Sequence, residues 1–424
     1  LELILITVLN NLDNMASTTI SYSSLPVKVP TPDVSLHRFT PFLSPPPGAS
    51  RTKLVKDETS VNKHLDRSCG CMVGLGIGDS LGAPLEFLPV SAASLPNRPH
   101  FDSSTFKYLN TPPSRFMLEK GQWTDDTSMA MCLADGLIEN DGAYVGSTTR
   151  TKYWLWWNAG LNNSFRKSTG NVRHSVGLGG NIKQSLDSLS PGTDPSNDYN
   201  PPNKSQDAGN GSLMRLAPVP VCFFRSQWAA MTMAKQSSTA THPGPIAADA
   251  CAFLSFVLAK AINREGEATA REFMDKCRAE FLECHAVTVC DEVRRLVEAN
   301  EPSGGTESVW SWRQEKLQIV ETCRARGYTY NGYANTAEYF GSFSLDGLAI
   351  ALNSFYTTSS FNECVIKCVN CLGDADTTGA IAGQLAGAFY GYGSIDERFI
   401  GNLRRWDDDE IALRAILLHR LHEK

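Results

Sequence analysis

Two short acidic segments carry the residue types that can do chemistry in this chain. Thr124-Asp125-Asp126-Thr127 lies in the first third, and Asp374-Ala375-Asp376-Thr377-Thr378 lies far downstream. Each brings two carboxylates and flanking hydroxyls together, and apolar helical sequence follows both. Carboxylates this close repel one another and are costly to bury unpaired. A hard divalent cation such as Mg²⁺, Mn²⁺ or Ca²⁺ relieves that repulsion, because it takes oxygen ligands from such side chains. Two clusters suggest one shared site that holds two metals. The competing explanation is local. Thr124 can cap the helix that follows it, with the acids complementing the helix dipole. Gly373 and the segment from Gly379 put the second cluster at a helix start as well. Two such starts, each with paired acids and a threonine, are better explained by metal than by two coincident caps.

The elements that must position these clusters read as helices. Glycine recurs at Gly70, Gly74, Gly78 and Gly82, and again at Gly379, Gly383, Gly387 and Gly391. This spacing strips one helix face of side chains. Glycine is unfavourable inside a helix, so a close helix–helix approach is the natural compensation. Asp79, Glu86 and Gln384 interrupt the apolar runs, which favours a tightly packed soluble core over a membrane dimer. The two glycine stripes are expected to pack near each other. Further helices are predicted over 128–138, over 246–262 after His242-Pro243-Gly244-Pro245, and through the stripes Val289, Val293, Leu296, Val297 and Leu345, Leu348, Leu352, Phe355. Another is predicted over 407–422, where Asp407-Asp408-Asp409 complements the dipole. Tyr153-Trp154-Leu155-Trp156-Trp157 reads as core. Residues 187–208 and 301–308 read as loops, and convincing alternating strands are absent.

With 424 residues, 42% hydrophobic and 20% charged, the chain has an ordinary globular balance. A net charge of −6 and the lack of a Lys/Arg block leave no electrostatic footprint for nucleic acid. No segment is expected to span a bilayer, so no membrane partner is expected. The apolar start Leu1–Leu9 lacks a basic leader and a small-residue cleavage site and is not read as a signal peptide. Met15-Ala16-Ser17 reads as a more natural start, with residues 1–14 an artefact of sequence assembly. Residues 1–60, rich in Ser, Thr and Pro, are expected to be a disordered tail with a weak likeness to a transit peptide, and 61–424 one domain. Twelve cysteines at irregular spacing read as buried or free thiols of a reducing compartment. Cys364, Cys368 and Cys371 read as one helix face rather than an iron–sulfur motif. The expected location is intracellular and cytoplasmic, with organelle import as the alternative.

Five segments, in order, carry a family resemblance. They are Gly74-Leu75-Gly76-Ile77-Gly78-Asp79-Ser80-Leu81-Gly82-Ala83-Pro84-Leu85-Glu86-Phe87, Gly121-Gln122-Trp123-Thr124-Asp125-Asp126-Thr127-Ser128-Met129, Gly209-Asn210-Gly211-Ser212-Leu213-Met214-Arg215-Leu216-Ala217-Pro218, Thr241-His242-Pro243 and Gly373-Asp374-Ala375-Asp376-Thr377-Thr378-Gly379-Ala380-Ile381-Ala382-Gly383. Across about residues 66–393 the chain resembles the ADP-ribosylglycohydrolases, in particular the branch around dinitrogenase reductase-activating glycohydrolase. The resemblance implies an all-α fold, a compact single-domain orthogonal helix bundle with a binuclear Mg²⁺ or Mn²⁺ cleft. It implies Thr124, Asp125, Asp126, Asp374, Asp376 and Thr377 as metal ligands and Glu86 as an acidic residue near the metals. Gly209, Asn210, Gly211 and Ser212 match the segment that holds ADP-ribose, and His242 lines the same pocket.

The implied reaction is hydrolysis of the glycosidic bond between ADP-ribose and a modified acceptor. ADP-ribosyl-arginine on protein is the first expectation, with serine-linked ADP-ribose or a small ADP-ribosyl conjugate next. Asp126 or Glu86 would be the general base on water. Asp79 reads as a residue that orients a ligand or a helix contact. The alternatives are a catalytically inactive ADP-ribose-binding or crystallin-like relative, and a metal-dependent phosphoester or pyrophosphate hydrolase. The chain departs from the family pattern at Leu372, where a glycine commonly stands, and in the longer stretches 187–208 and 286–340.

Overall fold

The computed structural model describes residues 50–165, 175–190, 192, 194–201, 208–266, 268–327, 329–330, 333–334 and 338–422. Sixteen α-helices run through the described residues. The first four are α1 (Arg51–Val61), α2 (Lys63–Gly82), α3 (Asp125–Glu139) and α4 (Gly146–Ala159). Then come α5 (Gly180–Asp187), α6 (Pro218–Phe223), α7 (Gln227–Thr239), α8 (Pro245–Ile262), α9 (Ala270–His285) and α10 (Asp291–Glu298). The last six are α11 (Ile319–Arg326), α12 (Ser344–Tyr356), α13 (Phe361–Val369), α14 (Ala375–Tyr390), α15 (Glu397–Asp407) and α16 (Glu410–Arg420).

The glycine stripes meet as the sequence predicts. Helices α2 and α14 run antiparallel with their backbones in contact. A methyl placed on Gly74 would sit 2.2 Å from the Gly383 carbonyl oxygen, and one on Gly78 would sit 2.0 Å from that of Gly379. At the two ends of the seam, Gly70 faces Gly387 and Gly82 faces Ala375. No side chain fits between them, so the energy lost by placing glycine in a helix is recovered as backbone packing over roughly three turns. This seam joins the two ends of the sequence. Around it lies a core of Leu75, Leu81, Phe253, Leu348 and Ile381, among others.

Local signals fix the helix ends. Asn62 starts α2 by accepting the N–H groups of His64 and Leu65 at 3.0 Å. Pro245 opens α8 at the position where its missing N–H costs nothing. Thr269 and Glu272 form a reciprocal capping box on α9. Helix α8 has the length and composition to cross a bilayer, contrary to the sequence expectation, but 83% of it is buried inside the protein. It is a core helix.

Other expectations need correction. Residues 51–60, expected in the disordered tail, belong to α1, which buries Val55 and donates from Thr52 to Asp409. The tail itself, residues 1–49, lies outside the described residues. The last helix begins at Glu410 rather than 407, because Asp408 and Asp409 adopt left-handed backbone between α15 and α16. Four short strands exist where none was expected: β1 (His100–Asp102) pairs with β2 (Lys107–Leu109), and β3 (Thr329–Tyr330) with β4 (Tyr333–Ala334). Each is too short to show a period-two pattern. All twelve cysteines are free, and Cys364 and Cys368 are buried on α13.

Candidate metal and substrate site

Both acidic clusters sit at helix N-termini, and neither caps its own helix. Thr124 precedes α3 and Asp374 precedes α14, yet neither side chain accepts a backbone N–H of the first turn. For α3 the cap comes from another helix. Asp79 of α2 accepts the N–H groups of Thr124 at 3.0 Å and Thr127 at 3.0 Å, and both threonine hydroxyls at 2.9 and 2.6 Å. That leaves Thr124 Oγ1 turned inward, 3.1 Å from Asp126 Oδ2 and 3.4 Å from Asp376 Oδ2. The local-cap explanation therefore fails for Thr124. Asp79 is a clamp that sets the register of α3 against α2.

The glycine seam brings the second cluster to the first. Asp79, Asp126 and Asp376 converge with one oxygen each within 4.8 Å of the others, and so do Glu86, Asp374 and Asp376. Asp376 belongs to both groups. Asp126 Oδ1 and Glu86 Oε2 are buried without a hydrogen-bond partner. Burial raises Asp126 well above its ordinary value, and the neighbouring Asp79 and Asp376 charges add to it. Asp125 is raised by burial and then by Asp376 and Asp79, and Asp376 by burial and then by Asp374. Glu86 is pushed up by burial and by Asp376 and Asp374. No described Lys or Arg forms an ion pair with any of these acids. Orphaned buried oxygens, all hard donors, in two overlapping groups fit divalent cations such as Mg²⁺ or Mn²⁺.

These acids floor a cleft of about 900 Å³. Its lining includes Glu86, Asp125, Asp374, Asp376, Thr377, Gly209, Asn210, Gly211 and His242. The structure thus brings together most of the residues singled out in the sequence, with three differences. Asp126 lies beneath the floor, fully buried, so of the two candidate bases only Glu86 faces the cleft. Asn210 donates to Asp374 Oδ2 at 2.6 Å and to the Gly341 carbonyl at 3.0 Å, so its amide positions a carboxylate. Ser212 turns inward, where its hydroxyl accepts from Ser238 at 3.0 Å. His242 packs where a side chain on Gly211 would sit. Burial and the Arg215 charge lower its ring to about 3, so it is neutral.

Several lining residues carried no signal in the sequence. Tyr339 lines the cleft beside the Asp374 carboxylate. Trp157, the one half-buried member of the aromatic run on α4, also lines the cleft, while Tyr153–Trp156 are core. Gly177 has φ +92° and packs directly on the Asp125 carboxylate, where any side chain would collide. From there Leu178, Gly179 and Gly180 follow the wall to the start of α5. Leu372 adopts φ +65°, a left-handed conformation where glycine is favoured, yet the turn still delivers Asp374. Its side chain is buried, which offsets the strain.

The family profile of the ADP-ribosylglycohydrolases matches residues 60–424. An ADP-ribosylarginine hydrolase Tri1 from Serratia proteamaculans is 27% identical over 343 residues, covering 81% of this chain and 76% of that protein. The ADP-ribosyl-[dinitrogen reductase] glycohydrolase of Rhodospirillum rubrum is 25% identical over 341 residues, covering 80% and 90%. A solved structure titled ADP-ribosylglycohydrolase-related protein complex superposes with a TM-score of 0.60 at 25% identity, covering 84% of this chain and 98% of the other. A cleft floored by two converging acidic helix starts, in a helical domain matched almost end to end, places this chain in the ADP-ribosylglycohydrolase family.

Proposed function

We propose that this protein is a metal-dependent hydrolase that releases ADP-ribose from a modified acceptor, with ADP-ribosyl-arginine on protein as the first substrate. The observation that carries the metal dependence is the pair of overlapping acidic groups whose buried oxygens lack partners. The family and the named relatives support the reaction class, and the arginine linkage follows the Serratia relative.

Thr124, Asp125, Asp126, Asp374, Asp376 and Thr377 would hold two Mg²⁺ or Mn²⁺ ions. When bound, these supply positive charge against the ribose hydroxyls and lower the pKa of coordinated water. The protein's own residues do the rest. Asn210 fixes Asp374, and Asp79 fixes Thr124. Glu86 faces the cleft with a free oxygen and takes the proton of the attacking water. Water oxygen bonds to C1″ of the distal ribose, the C1″–N bond to the guanidine breaks, and the departing nitrogen gains a proton. The net change is addition of one water through an oxocarbenium-like state.

Product analysis on arginine- and serine-linked ADP-ribosyl substrates, with Mg²⁺ and with Mn²⁺, tests this. Free ADP-ribose is the expected product. AMP would mean pyrophosphate cleavage instead, and no turnover with either metal would mean a binding protein.

A further inference from the structure

The cleft presents a charge problem. Four carboxylates line it, those of Glu86, Asp125, Asp374 and Asp376, and His242 is neutral. The two proposed divalent cations would balance those four charges and leave no excess for a diphosphate, which then favours a further cation on the wall. Among the described lining residues there is one, Arg115.

Arg115 is exposed, and among the described residues its guanidinium makes no ion pair. It lies 4.5 Å from the centre of the Phe87 ring. Phe87 in turn stacks on Tyr339, with centroids 5.5 Å apart and planes at 20°, and meets Phe116 edge-on at 5.9 Å. The backbone of Phe87 is held at φ +66°, a conformation that a bulky residue adopts only when its surroundings demand it. Its N–H donates to the Gly373 carbonyl at 2.9 Å, which ties the stack to the turn that carries Asp374. The guanidinium is therefore placed by an aromatic platform rooted in the metal-site turn. A planar guanidinium, weakly hydrated and stacked on a ring, suits bidentate contact with phosphate oxygens.

We propose that Arg115, held over Phe87 at the cleft wall, binds the diphosphate of the ADP-ribosyl substrate. This rests on the reading of the cleft as an ADP-ribosyl site. It makes Arg115 a binding residue that sets affinity and leaves the chemical step alone.

The test is calorimetric titration of ADP-ribose into the full chain with Mg²⁺ present, for wild type, Arg115→Ala and Arg115→Lys, at low and high salt. Arg115→Ala is expected to weaken binding about tenfold to a hundredfold, as for loss of a charge-assisted hydrogen bond, and to flatten the salt dependence. Arg115→Lys keeps the charge without the planar fork and should fall between. In turnover assays KM should rise while kcat holds. Equal binding by wild type and Arg115→Ala overturns the proposal. So does a variant that loses affinity only for the modified protein, because Arg115 would then face the acceptor. If the wild type binds no ADP-ribose, the reading of the cleft falls and the proposal falls with it. Unchanged melting temperatures for both variants confirm that the exposed substitution leaves the fold intact.

Discussion

Two groups of buried carboxylates in this protein are treated in opposite ways. At the C-terminal end of α3, Asp135 meets Arg414 of α16 at 2.7 Å and the Asn162 amide at 2.9 Å, while Lys152 reaches Glu139 at 2.7 Å. Burial alone would raise Asp135, but the Arg414 and Lys152 charges prevail and hold it below its ordinary value. At the N-terminal end of the same helix, Asp125 and Asp126 are raised by burial and by neighbouring acids. One helix thus carries a neutralised acid at one end and uncompensated acids at the other. The fold can supply buried cations and does so for Asp135. At Asp125, Asp126 and Asp376 no described Lys or Arg does so, and this contrast is the basis of the proposed cation site.

The largest expected effect separates the two ends by function. Asp376→Asn or Asp125→Asn should reduce turnover to background while leaving the metal-free melting temperature equal or higher, since one repelling charge is gone. A fall in metal-free stability comparable with an ion-pair break would erase the distinction. Asp135→Asn should do the reverse. Removing this partner leaves Arg414 with Glu410 at 3.2 Å and costs about 3 kcal/mol in denaturant unfolding, the low end for a broken buried pair, with metal affinity retained in the folded fraction. Metal should act on one end alone. Free Mn²⁺ at a hundred times its dissociation constant should stabilise the wild type by about 2.7 kcal/mol and leave Asp376→Asn almost unmoved.

The smallest effect, and the sharpest in sign, is in pH. The folded pKa of Asp135 is depressed. Its contribution is therefore present above the ordinary carboxylate range and is lost as pH falls through the depressed value. Asp125, Asp126 and Asp376 are raised. In metal-free protein their contribution is present below the ordinary range and is lost as pH rises through the raised values. Metal-free wild type should therefore lose stability as pH climbs above about 4, the unperturbed carboxylate pKa. Asp376→Asn should shallow that slope, and Mn²⁺ should suppress it. A metal-free stability that rises steadily from pH 4 to 8 would contradict the assignment.

What the sequence made legible follows the range of the interactions. Glycines four apart announced a side-chain-free face, and Asp/Thr pairs at helix starts announced repulsion in need of a cation. Both are local patterns, and the structure brings the two stripes together and the two acidic clusters together. Asp79 was ambiguous because its meaning lies 45 residues away, at the start of α3. Tyr339 and Arg115 match no local pattern, and Phe87 closes a family segment without a role of its own, since only folding brings the stack together. Asn210, whose glycine-flanked turn resembles a ligand loop, lines the cleft but spends its amide on Asp374. Helix α1 carries no local signal, because it is largely polar and is fixed through Arg51 and Thr52 to Asp408 and Asp409, far along the chain.

The central claim is that the acidic helix starts form one cation site through Asp376, which belongs to both acidic groups. Calorimetric titration of Mn²⁺ into the metal-free full chain, wild type beside Asp376→Asn, tests it most directly. Saturable binding by the wild type and a loss of at least about tenfold in affinity in the variant, the scale set by perturbing even a supporting residue of a metal site, is the expected result. Equal binding by the two proteins, or none by the wild type, would contradict it.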